Sequence, residues 1–450
     1  MKLSEIPGTL REIRVTPIKT LGQNFLHDGN LARWIIEKLK LGPDDYAVEI
    51  GPGLGALTSL ALQSGAQVLA IEKDARLANF LRKRFTSPRL EVLHADALDF
   101  DVRTLFAQPR VKCFGNLPYY VSSQLLLKFI EEPSPISIWL FMLQREMARR
   151  LSAEPGVSDY GALTLLVQSR YHVEYLRTVP STVFLPQPEV DSALVQLTPK
   201  RGDELPDYHR DVFTRLVRIG FSQRRKQLQK LLRAKISDWA KVTQKIGIGP
   251  KARAEELSLA QWIALSNFVR PPDVPDSVRV ESERFPVVDE QDRMLATAPR
   301  QEVHGDNLRH RAVHILVFNK AGELFLQKRS RKKDRYPQRW DSSAAGHVDA
   351  AEEYDQAAHR ELGEELGVSA NLKRVVKLEA SERTGQEFIW LYHAFHEGPF
   401  CLAPAEIDYG AFFPTKLVTD WMRARPDEFA PGFIECWKRY LQVDNSASAD

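Results

Sequence analysis

The chain has 450 residues, of which 43% are hydrophobic and 27% are charged, and its formal net charge is +3. A chain of this length is too long for one ordinary hydrophobic core, so we expect two or three domains. The composition is that of a soluble globular protein, without an apolar run long enough for a bilayer or a signal peptide, which predicts a cytoplasmic protein. The three cysteines, Cys113, Cys401 and Cys436, are too widely spaced for a disulfide framework or a thiolate metal site.

From about residue 46 to residue 143, short apolar runs alternate with helical segments. The apolar runs are YAVEI, QVLAI, LEVLH, VKCFG and SIWLFML. This alternation predicts a parallel sheet with crossover helices. A more irregular part then ends in a further strand, DSALVQLTP, and residues 207–268 read as almost entirely helical. The sequence therefore predicts a Rossmann-like α/β domain with a small all-helical C-terminal subdomain.

Clustered prolines in VRPPDVPDSVRVES, residues 269–282, mark the clearest domain boundary. Proline cannot continue a helix and holds the preceding residue extended. Beyond this segment, the strand patterns RAVHILVFN and ELFLQKR precede an acidic helix and further strands, which predicts a separate α+β domain. We therefore expect a domain at 1–200, a helical subdomain at 201–270, a linker at 271–282 and a last domain at 283–445.

Glycines separate the first strand of the predicted sheet from its helix, in VEIGPGLGALT. Gly51 and Gly53 let the backbone turn sharply and approach a ligand closely. Glu72 ends the next strand about 20 residues on, where a carboxylate can bind ribose hydroxyls, and Asp96 ends the strand after that. Open α/β sheets bind ligands at the carboxyl ends of their strands. The pattern predicts a nucleotide cofactor pocket, but it fits a dinucleotide as well as S-adenosylmethionine.

The stretch CFGNLPYYVSS at the end of the fourth strand decides between these cofactors. The exocyclic amine of a nucleobase is a poor nucleophile, because its lone pair is delocalised into the ring. The side-chain oxygen of Asn116 and a main-chain carbonyl from the Leu117-Pro118 turn can accept both amine hydrogens and localise that lone pair. Tyr119 can stack on an extruded base, which offsets the cost of unstacking it. The stretch therefore indicates methyl transfer to a flipped nucleobase.

Residues from about 13 to 267 resemble the ribosomal RNA small-subunit adenine-N6 dimethyltransferases. The resemblance rests on KTLGQNFL, VEIGPGLGALT, NLPYY, MLQREMARRL, VFLPQPEVDSALV and GFSQRRKQL. It implies dimethylation, with S-adenosylmethionine, of two adjacent adenosines in the 3′-terminal hairpin of small-subunit (16S) rRNA, within a small-subunit precursor particle. The implied cofactor contacts are Asn24, Leu26, Gly51, Gly53, Glu72, Asp96 and Asn116, and the implied catalytic residues are Asn116, Pro118, Tyr119 and Phe184.

A basic run from Arg215 to Lys235 follows a helical period in the predicted helical subdomain. In view of the resemblance, we expect Arg224, Arg225 and Lys226 to contact RNA phosphates, which supply affinity without reading sequence. A solvated basic helix face remains the alternative for each of these residues.

A glycine loop followed by an acidic helix, GHVDAAEEYDQAAHRELGEELGV, matches in full the Nudix box pattern G-x5-E-x7-R-E-U-x-E-E-x-G-U, in which U is apolar. It resembles the Nudix pyrophosphohydrolases. Glutamates at i, i+3 and i+4 share one helix face, where their carboxylates repel one another unless a cation lies between them. Oxygen ligands suit Mg²⁺ or Mn²⁺. The predicted metal ligands are Glu352, Glu361, Glu364 and Glu365, and the remaining box positions are Gly346, Arg360 and Gly367.

The flanks of the Nudix box resemble the branch that contains isopentenyl-diphosphate isomerases and related hydrolases. Isomerases of that branch carry a catalytic cysteine just before the box glycine, where this chain has Ala345. Hydrolysis of a small diphosphate is therefore preferred over isomerisation. The rival interpretation of the whole chain is an RNA-binding ribosome-assembly factor with a nucleotide-sensing, non-catalytic Nudix module.

Overall fold

The structure, a computed structural model, describes residues 3–17, 23–118, 121–131, 133–201, 204–271 and 283–447. It divides into two compact units, Met1–Glu204 with Thr214–Ala264 and Leu205–Phe213 with Leu265–Asp450. Apart from residue 271, the predicted linker lies outside the described residues, so the domain boundaries given above stay predictions. Among the described residues, no helix is both long enough and apolar enough to cross a bilayer.

Seven helices and nine strands are described before residue 200. The helices are α1 (Ile6–Glu12), α2 (Gly29–Leu39), α3 (Ala56–Gln63), α4 (Ala75–Arg84), α5 (Ser122–Glu131), α6 (Arg145–Leu151) and α7 (Ala162–Gln168). The strands are β1 (Phe25–Leu26), β2 (Tyr46–Ile50), β3 (Gln67–Glu72), β4 (Leu90–His94), β5 (Val111–Asn116), β6 (Ile138–Gln144), β7 (Tyr171–Val179), β8 (Phe184–Leu185) and β9 (Ser192–Pro199).

Seven of these strands form one sheet in the order β4-β3-β2-β5-β6-β9-β7. The first five strands of that order are parallel, whereas β9 runs antiparallel to both of its neighbours. Every residue of β2 is buried, as expected for a strand covered by helices on both faces. The predicted Rossmann-like α/β fold is confirmed.

The register of the sheet brings the carboxyl ends of its central strands to one edge. Ile50 pairs with both Ile71 and Gly115, so β2, β3 and β5 end side by side and the residues that follow them lie at the same edge of the sheet. Gly115 permits this close pairing, because a Cβ there would lie 2.3 Å from the carbonyl oxygen of Ile50.

The region expected to be almost entirely helical contains α8 (Arg210–Phe221), α9 (Leu228–Leu232), α10 (Trp239–Ile246) and α11 (Leu259–Val269). The basic run within it is not one continuous helix, because α8 ends at Phe221 and residues 222–227 form a turn. Arg224 donates hydrogen bonds from this turn to the carbonyls of Ser158 and Tyr160, at 2.6 and 3.0 Å. These contacts hold the chain away from the helical path that the spacing of the basic residues suggests.

Nine strands and four α-helices are described between residues 283 and 447. The strands are β10 (Arg284–Val288), β11 (Met294–Pro299), β12 (His310–Phe318), β13 (Glu323–Arg329), β14 (Trp340–Asp341), β15 (Ala344–His347), β16 (Lys373–Leu378), β17 (Glu387–Phe395) and β18 (Ile407–Pro414). The helices are α12 (Arg300–Gly305), α13 (Tyr354–Leu366), α14 (Thr415–Ala424) and α15 (Pro431–Ala447).

These strands form a mixed sheet in the order β14-β13-β12-β17-β16, with β15 pairing with β12, β18 pairing with β13, and β10 and β11 forming a separate hairpin. Val313, Ile315 and Val317 alternate along β12 and pack in one core with α13. Ala312 and His314 point from the opposite face of β12 and line a cavity. The α+β class predicted for this part is confirmed.

Glu49 is a carboxylic acid buried in the middle of the first sheet, with 2% of its surface exposed. The hydroxyl of Thr58 donates a hydrogen bond to it at 2.6 Å. Burial raises its pKa from 4.5 to about 8, although the bond from Thr58 acts in the opposite direction. Glu49 is therefore protonated at neutral pH.

We predict that Glu49→Gln flattens the pH dependence of stability. A carboxyl whose folded-state pKa is raised contributes stability that is fully present below about pH 4.5 and is lost as the pH rises through about 8. The free energy of unfolding of the wild type should therefore fall more steeply than that of the variant across this range, in urea titrations at several pH values. Parallel profiles for the two proteins would contradict the burial of a neutral Glu49.

Candidate active sites

One cavity at the carboxyl ends of the central strands gathers most of the site residues predicted for the first part of the chain. Its lining includes Asn24, Gly51, Gly53, Glu72, Asp96, Asn116 and Pro118. The enclosed volume is about 90 Å³, below the roughly 300–1,000 Å³ of typical small-molecule sites. A nucleoside cofactor would therefore extend beyond the enclosed part toward the open side.

The side chain of Asn116 is oriented by one hydrogen bond. Its Nδ2 donates to the carbonyl oxygen of Asn24 at 3.0 Å. The side-chain Oδ1 receives no hydrogen bond from any described residue, and it is left as an acceptor beside the cavity. Because the two ends of a carboxamide differ in chemistry, the bond to Asn24 fixes which end a ligand meets.

The Pro118 carbonyl, predicted as the second acceptor for an amine, is already committed to α5. It accepts the backbone N–H groups of Val121 and Ser122, at 3.2 and 3.1 Å. The carbonyl of Leu117 accepts no backbone N–H from the described part of the chain. The Leu117 carbonyl is therefore the uncommitted acceptor of the turn among the described residues, while Pro118 fixes the turn and begins the helix.

Glu72 lines the cavity, and each of its carboxylate oxygens accepts a hydrogen bond from a main-chain amide. The N–H of Gly53 donates at 3.1 Å and the N–H of Asp74 at 2.9 Å. Burial raises the pKa of Glu72, and these amide bonds act against that rise. Gly53 can turn toward the carboxylate because its φ of 55° is one that glycine adopts without strain.

Asp96 forms an ion pair on the same wall. Nζ of Lys73 lies 2.6 Å from its carboxylate, and the N–H of Leu98 donates to it at 2.9 Å. Partial burial raises the pKa of Asp96, but the bonds from Lys73 and Leu98 outweigh it, and the net pKa is lowered. Lys73 also lines the cavity. The sequence analysis missed it, although its place directly after Glu72 could have indicated it.

Leu26 and Phe184 do not line this cavity. They are cross-strand partners in the β1–β8 pair, and they are 8% and 2% exposed within the core. Tyr119, Tyr120 and residues 19–22 of the KTLGQNFL motif lie outside the described residues. The roles predicted for Leu26, Tyr119 and Phe184 therefore stay predictions. The same holds for the phosphate contacts of Arg224, Arg225 and Lys226, which are exposed in the turn after α8.

A second cavity, of about 600 Å³, lies beside the Nudix box helix α13. Gly346, Arg360, Glu361, Glu364 and Glu365 line it, whereas Glu352 and Gly367 do not. Position 346 requires glycine for a steric reason, because a Cβ there would lie 2.1 Å from the carboxylate of Glu361. Gly367 ends α13 with a φ of 68°, the left-handed conformation that favours glycine at this position.

Arg360 is bound by three carboxylates of the box. It contacts Glu352 at 2.8 and 2.9 Å, Glu361 at 2.7 Å and Glu364 at 3.4 Å. Glu365 instead accepts the side-chain amide of Gln327 at 2.9 Å and the N–H of Ala345 at 3.0 Å.

The pKa shifts show that these carboxylates are crowded. Burial raises the pKa of Glu361 to about 7 and that of Glu365 well above its ordinary value. A hard divalent cation would relieve both shifts, so the donor set fits Mg²⁺ or Mn²⁺. Glu352 is bound on both oxygens by Arg360, which favours an orienting role for it over direct ligation. Glu406, which pairs with Lys333, also lines the cavity, and the sequence analysis missed it.

The same cavity borders a cluster of three histidines that the sequence analysis did not predict. One ring nitrogen from each of His304, His310 and His347 lies within 4.8 Å of the others. Oε1 of Glu387 is 3.4 Å from Nε2 of His347 and 3.6 Å from Nε2 of His310. Burial lowers the pKa of His347 to about 3, so its imidazole is neutral.

This cluster has the chemistry of a transition-metal site. Among the described residues, Nε2 of His304 and Nε2 of His310 are buried without a hydrogen-bond partner. Nδ1 of His310 lies 2.8 Å from the carbonyl of Leu308, and a neutral imidazole that donates there keeps the lone pair on Nε2. Neutral imidazoles and one carboxylate are ligands that Zn²⁺, Mn²⁺ and related ions accept. No local motif reveals the cluster, although His347 follows the box glycine directly.

Comparisons with known proteins agree with the two resemblances. A family model described as ribosomal RNA adenine dimethylase matches residues 17–270, and a NUDIX domain model matches residues 308–431. The chain is similar to ribosomal RNA small subunit methyltransferase A of Geobacillus thermodenitrificans, with 38% identity over 266 residues, 56% of this chain and 91% of the relative. The protein of the same name from Alcanivorax borkumensis is 41% identical over 261 residues, 58% of this chain and 92% of the relative.

Among solved structures, a dimethyladenosine transferase from Plasmodium falciparum aligns with 54% of this chain and 98% of its own, at 26% identity and a TM-score of 0.46. The resemblance to the isomerase-containing branch is not tested by these matches and stays a prediction. The first family model covers more than half of the chain, and the second covers a separate part. The chain belongs to the ribosomal RNA adenine dimethylase family and carries a Nudix domain after the region that defines that family.

Proposed function

We propose that the first part of the chain dimethylates N6 of two adjacent adenosines in the 3′-terminal hairpin of small-subunit rRNA. Family membership and the names of the relatives support this substrate class. The single observation that carries the proposal is the side chain of Asn116, whose Nδ2 is bound to Asn24 and whose Oδ1 is open to the cavity.

Two groups of residues bind the two reactants, one group the amine and the other the cofactor. Oδ1 of Asn116 and the carbonyl of Leu117 accept the two hydrogens of the amine, which localises its lone pair on nitrogen. Glu72 ends β3 and Asp96 follows β4, the neighbouring strand. Both carboxylates line the cavity and suit the hydroxyls and polar groups of a bound nucleoside. S-adenosylmethionine, when bound, supplies a methyl group on a sulfonium leaving group. Placement of amine and methyl group in line is then the main requirement, and no strong base is needed.

We predict that Asn116→Ala abolishes methyl transfer while RNA affinity is retained, because the change removes an amine acceptor and no phosphate contact. The measurement is incorporation of label from S-adenosylmethionine into adenosine of undermethylated small subunits, with RNA binding followed separately. Asn79→Ala is the matched control, since Asn79 is exposed on α4.

Two outcomes would count against this part of the proposal. Absence of labelled adenosine with the wild type would defeat the enzyme function and favour an RNA-binding assembly factor. Equal loss of transfer and RNA binding in Asn116→Ala would show that Asn116 does not act on the amine alone.

We also propose that the Nudix domain hydrolyses a small diphosphate with the help of divalent cations. All the box residues are present, and five of them line one cavity, which supports turnover over passive binding. Glu361, Glu364 and Glu365 would hold a Mg²⁺ or Mn²⁺ ion, and Arg360 would orient the carboxylates. A divalent cation, when bound, supplies Lewis-acid polarisation of the phosphate oxygens.

We predict that Glu364→Gln lowers hydrolysis by more than about tenfold, since it removes a charged ligand of the proposed cation. A Mg²⁺-dependent phosphate-release screen over dinucleotide and isoprenoid diphosphates first identifies a substrate. Glu379→Gln, a change at an exposed position outside the cavity, is the control. Unchanged activity in Glu364→Gln would show that the metal site lies elsewhere.

We predict that His310→Ala removes one bound transition-metal ion from each chain without affecting Mg²⁺ binding at the box. The imidazole of His310 is the most buried of the cluster, with 1% of its residue surface exposed. Equilibrium dialysis with Zn²⁺ and Mn²⁺ gives the stoichiometry directly and needs no substrate. The control is His359→Ala on the exposed face of α13. Equal metal content in His310→Ala and the wild type would exclude the cluster as a metal site.

A further inference from the structure

His314 is a buried histidine of the second cavity that neither cation site uses. It is 5% exposed, and its side chain lines the cavity. Its Nδ1 lies 2.7 Å from Oγ of Ser342, which is also buried. No described residue lies within hydrogen-bonding distance of its other ring nitrogen, Nε2. The contact with Ser342 orients the imidazole through Nδ1, and Nε2 can then form a hydrogen bond with a ligand.

The open nitrogen of His314 faces the first turn of α15. A Cβ built on Gly432 would lie 3.4 Å from Nε2 of His314, so an alanine side chain at position 432 would contact this nitrogen. Ala430 and Gly432 line the same cavity. The first turn of a helix carries N–H groups that have no partner within the helix.

The amides of Gly432 and Phe433 are such groups. The first backbone hydrogen bond of α15 runs from the N–H of Ile434 to the carbonyl of Ala430, at 3.1 Å. In the part of the chain that the structure describes, no backbone carbonyl accepts the N–H of Gly432 or of Phe433. α15 runs from Pro431 to Ala447, so its aligned peptide dipoles place partial positive charge at this end.

The carboxylate of Asp341 lies 3.9 Å from Nδ1 of His314, the ring nitrogen that contacts Ser342 and not the open one. Its charge is balanced by Arg329, whose guanidinium donates to it at 2.8 Å. Arg329 itself lines the cavity.

We propose that His314 and the N-terminus of α15 form a phosphate-binding subsite of the Nudix cavity. This proposal rests on the proposed hydrolase function, whose substrate would supply the phosphate group. Nε2 of His314 and the amides of Gly432 and Phe433 donate hydrogen bonds to the oxygens of one phosphate group. An anion in front of Nε2 selects the tautomer in which Nε2 carries the proton, while the hydroxyl of Ser342 donates to Nδ1.

The position of the subsite identifies the phosphate that occupies it. His314 on β12 pairs directly with Ala345 on β15, and the N–H of Ala345 donates to the carboxylate of Glu365 at 3.0 Å. One residue pair therefore separates the subsite from the proposed cation ligands. A compound with two linked phosphate groups can place one at the carboxylates and the other at His314. The subsite thus selects substrates with a diphosphate over those with a single phosphate.

The test is calorimetric titration of the full chain with inorganic phosphate and with methylenediphosphonate, a diphosphate analogue that cannot be hydrolysed. Titrations with a chelator present exclude binding through divalent cations. His314→Ala removes the donor. Gly432→Ala keeps His314 and places a methyl group in front of Nε2. His359→Ala is the control, because His359 is exposed on α13.

We expect His314→Ala and Gly432→Ala each to weaken binding of both probes by about tenfold, the effect of losing one hydrogen bond to a charged group. His314→Gln, whose side-chain amide can donate from a similar position, should restore part of the affinity, and His359→Ala should bind as the wild type does. Thermal unfolding of each variant verifies its folding. Gly432→Ala improves helix propensity and so separates a lost subsite from a lost fold.

Wild-type affinity in both His314→Ala and Gly432→Ala would overturn the subsite, as would absence of phosphate binding by the wild type. The two proposals fail separately. If no diphosphate is hydrolysed but binding depends on His314, the hydrolase function fails and the subsite stands. If hydrolysis occurs and neither variant affects binding, the subsite fails and the hydrolase function stands.

Discussion

The hydrogen bond from Nδ2 of Asn116 to the carbonyl of Asn24 fixes which end of the Asn116 carboxamide faces the first cavity, and the proposed reaction depends on it. A carboxamide that presented its NH₂ to the cavity would repel an incoming amine, whereas one that presents Oδ1 accepts its hydrogens. The bond can form only because parallel strands end at a common edge and the β1–β8 pair holds the neighbouring Phe25 and Leu26. The fold and the proposed reaction are linked through this contact.

The Nudix domain meets a different constraint, the repulsion between carboxylates that share one helix face. Arg360 offsets part of it by bridging Glu352, Glu361 and Glu364. Glu365 lies deeper and depends on neutral donors, and its raised pKa shows that these do not compensate a full charge. A divalent cation bound between these carboxylates would offset the repulsion that remains.

The sequence predicted those parts of the molecule that depend on local spacing. Strand rhythm predicted the parallel sheet, and the i, i+3, i+4 glutamates predicted the shared face of α13. Features that depend on distant partners could not be read in the same way. His304, His310, His347 and Glu387 meet only because β12 pairs with both β15 and β17 and α12 brings His304 to them. The commitment of the Pro118 carbonyl likewise depends on where α5 begins. The basic run around Arg224 looked like one helix because its period does not record the tertiary contacts that break it.

The most direct measurement is a crystal structure of the chain with S-adenosylhomocysteine and adenosine. The account predicts the Glu72 carboxylate within hydrogen-bonding distance of the ribose hydroxyls of S-adenosylhomocysteine, and the amine of adenosine between Oδ1 of Asn116 and the carbonyl of Leu117. An adenosine amine that meets Nδ2 of Asn116, or a cofactor bound away from Glu72 and Asp96, would contradict it.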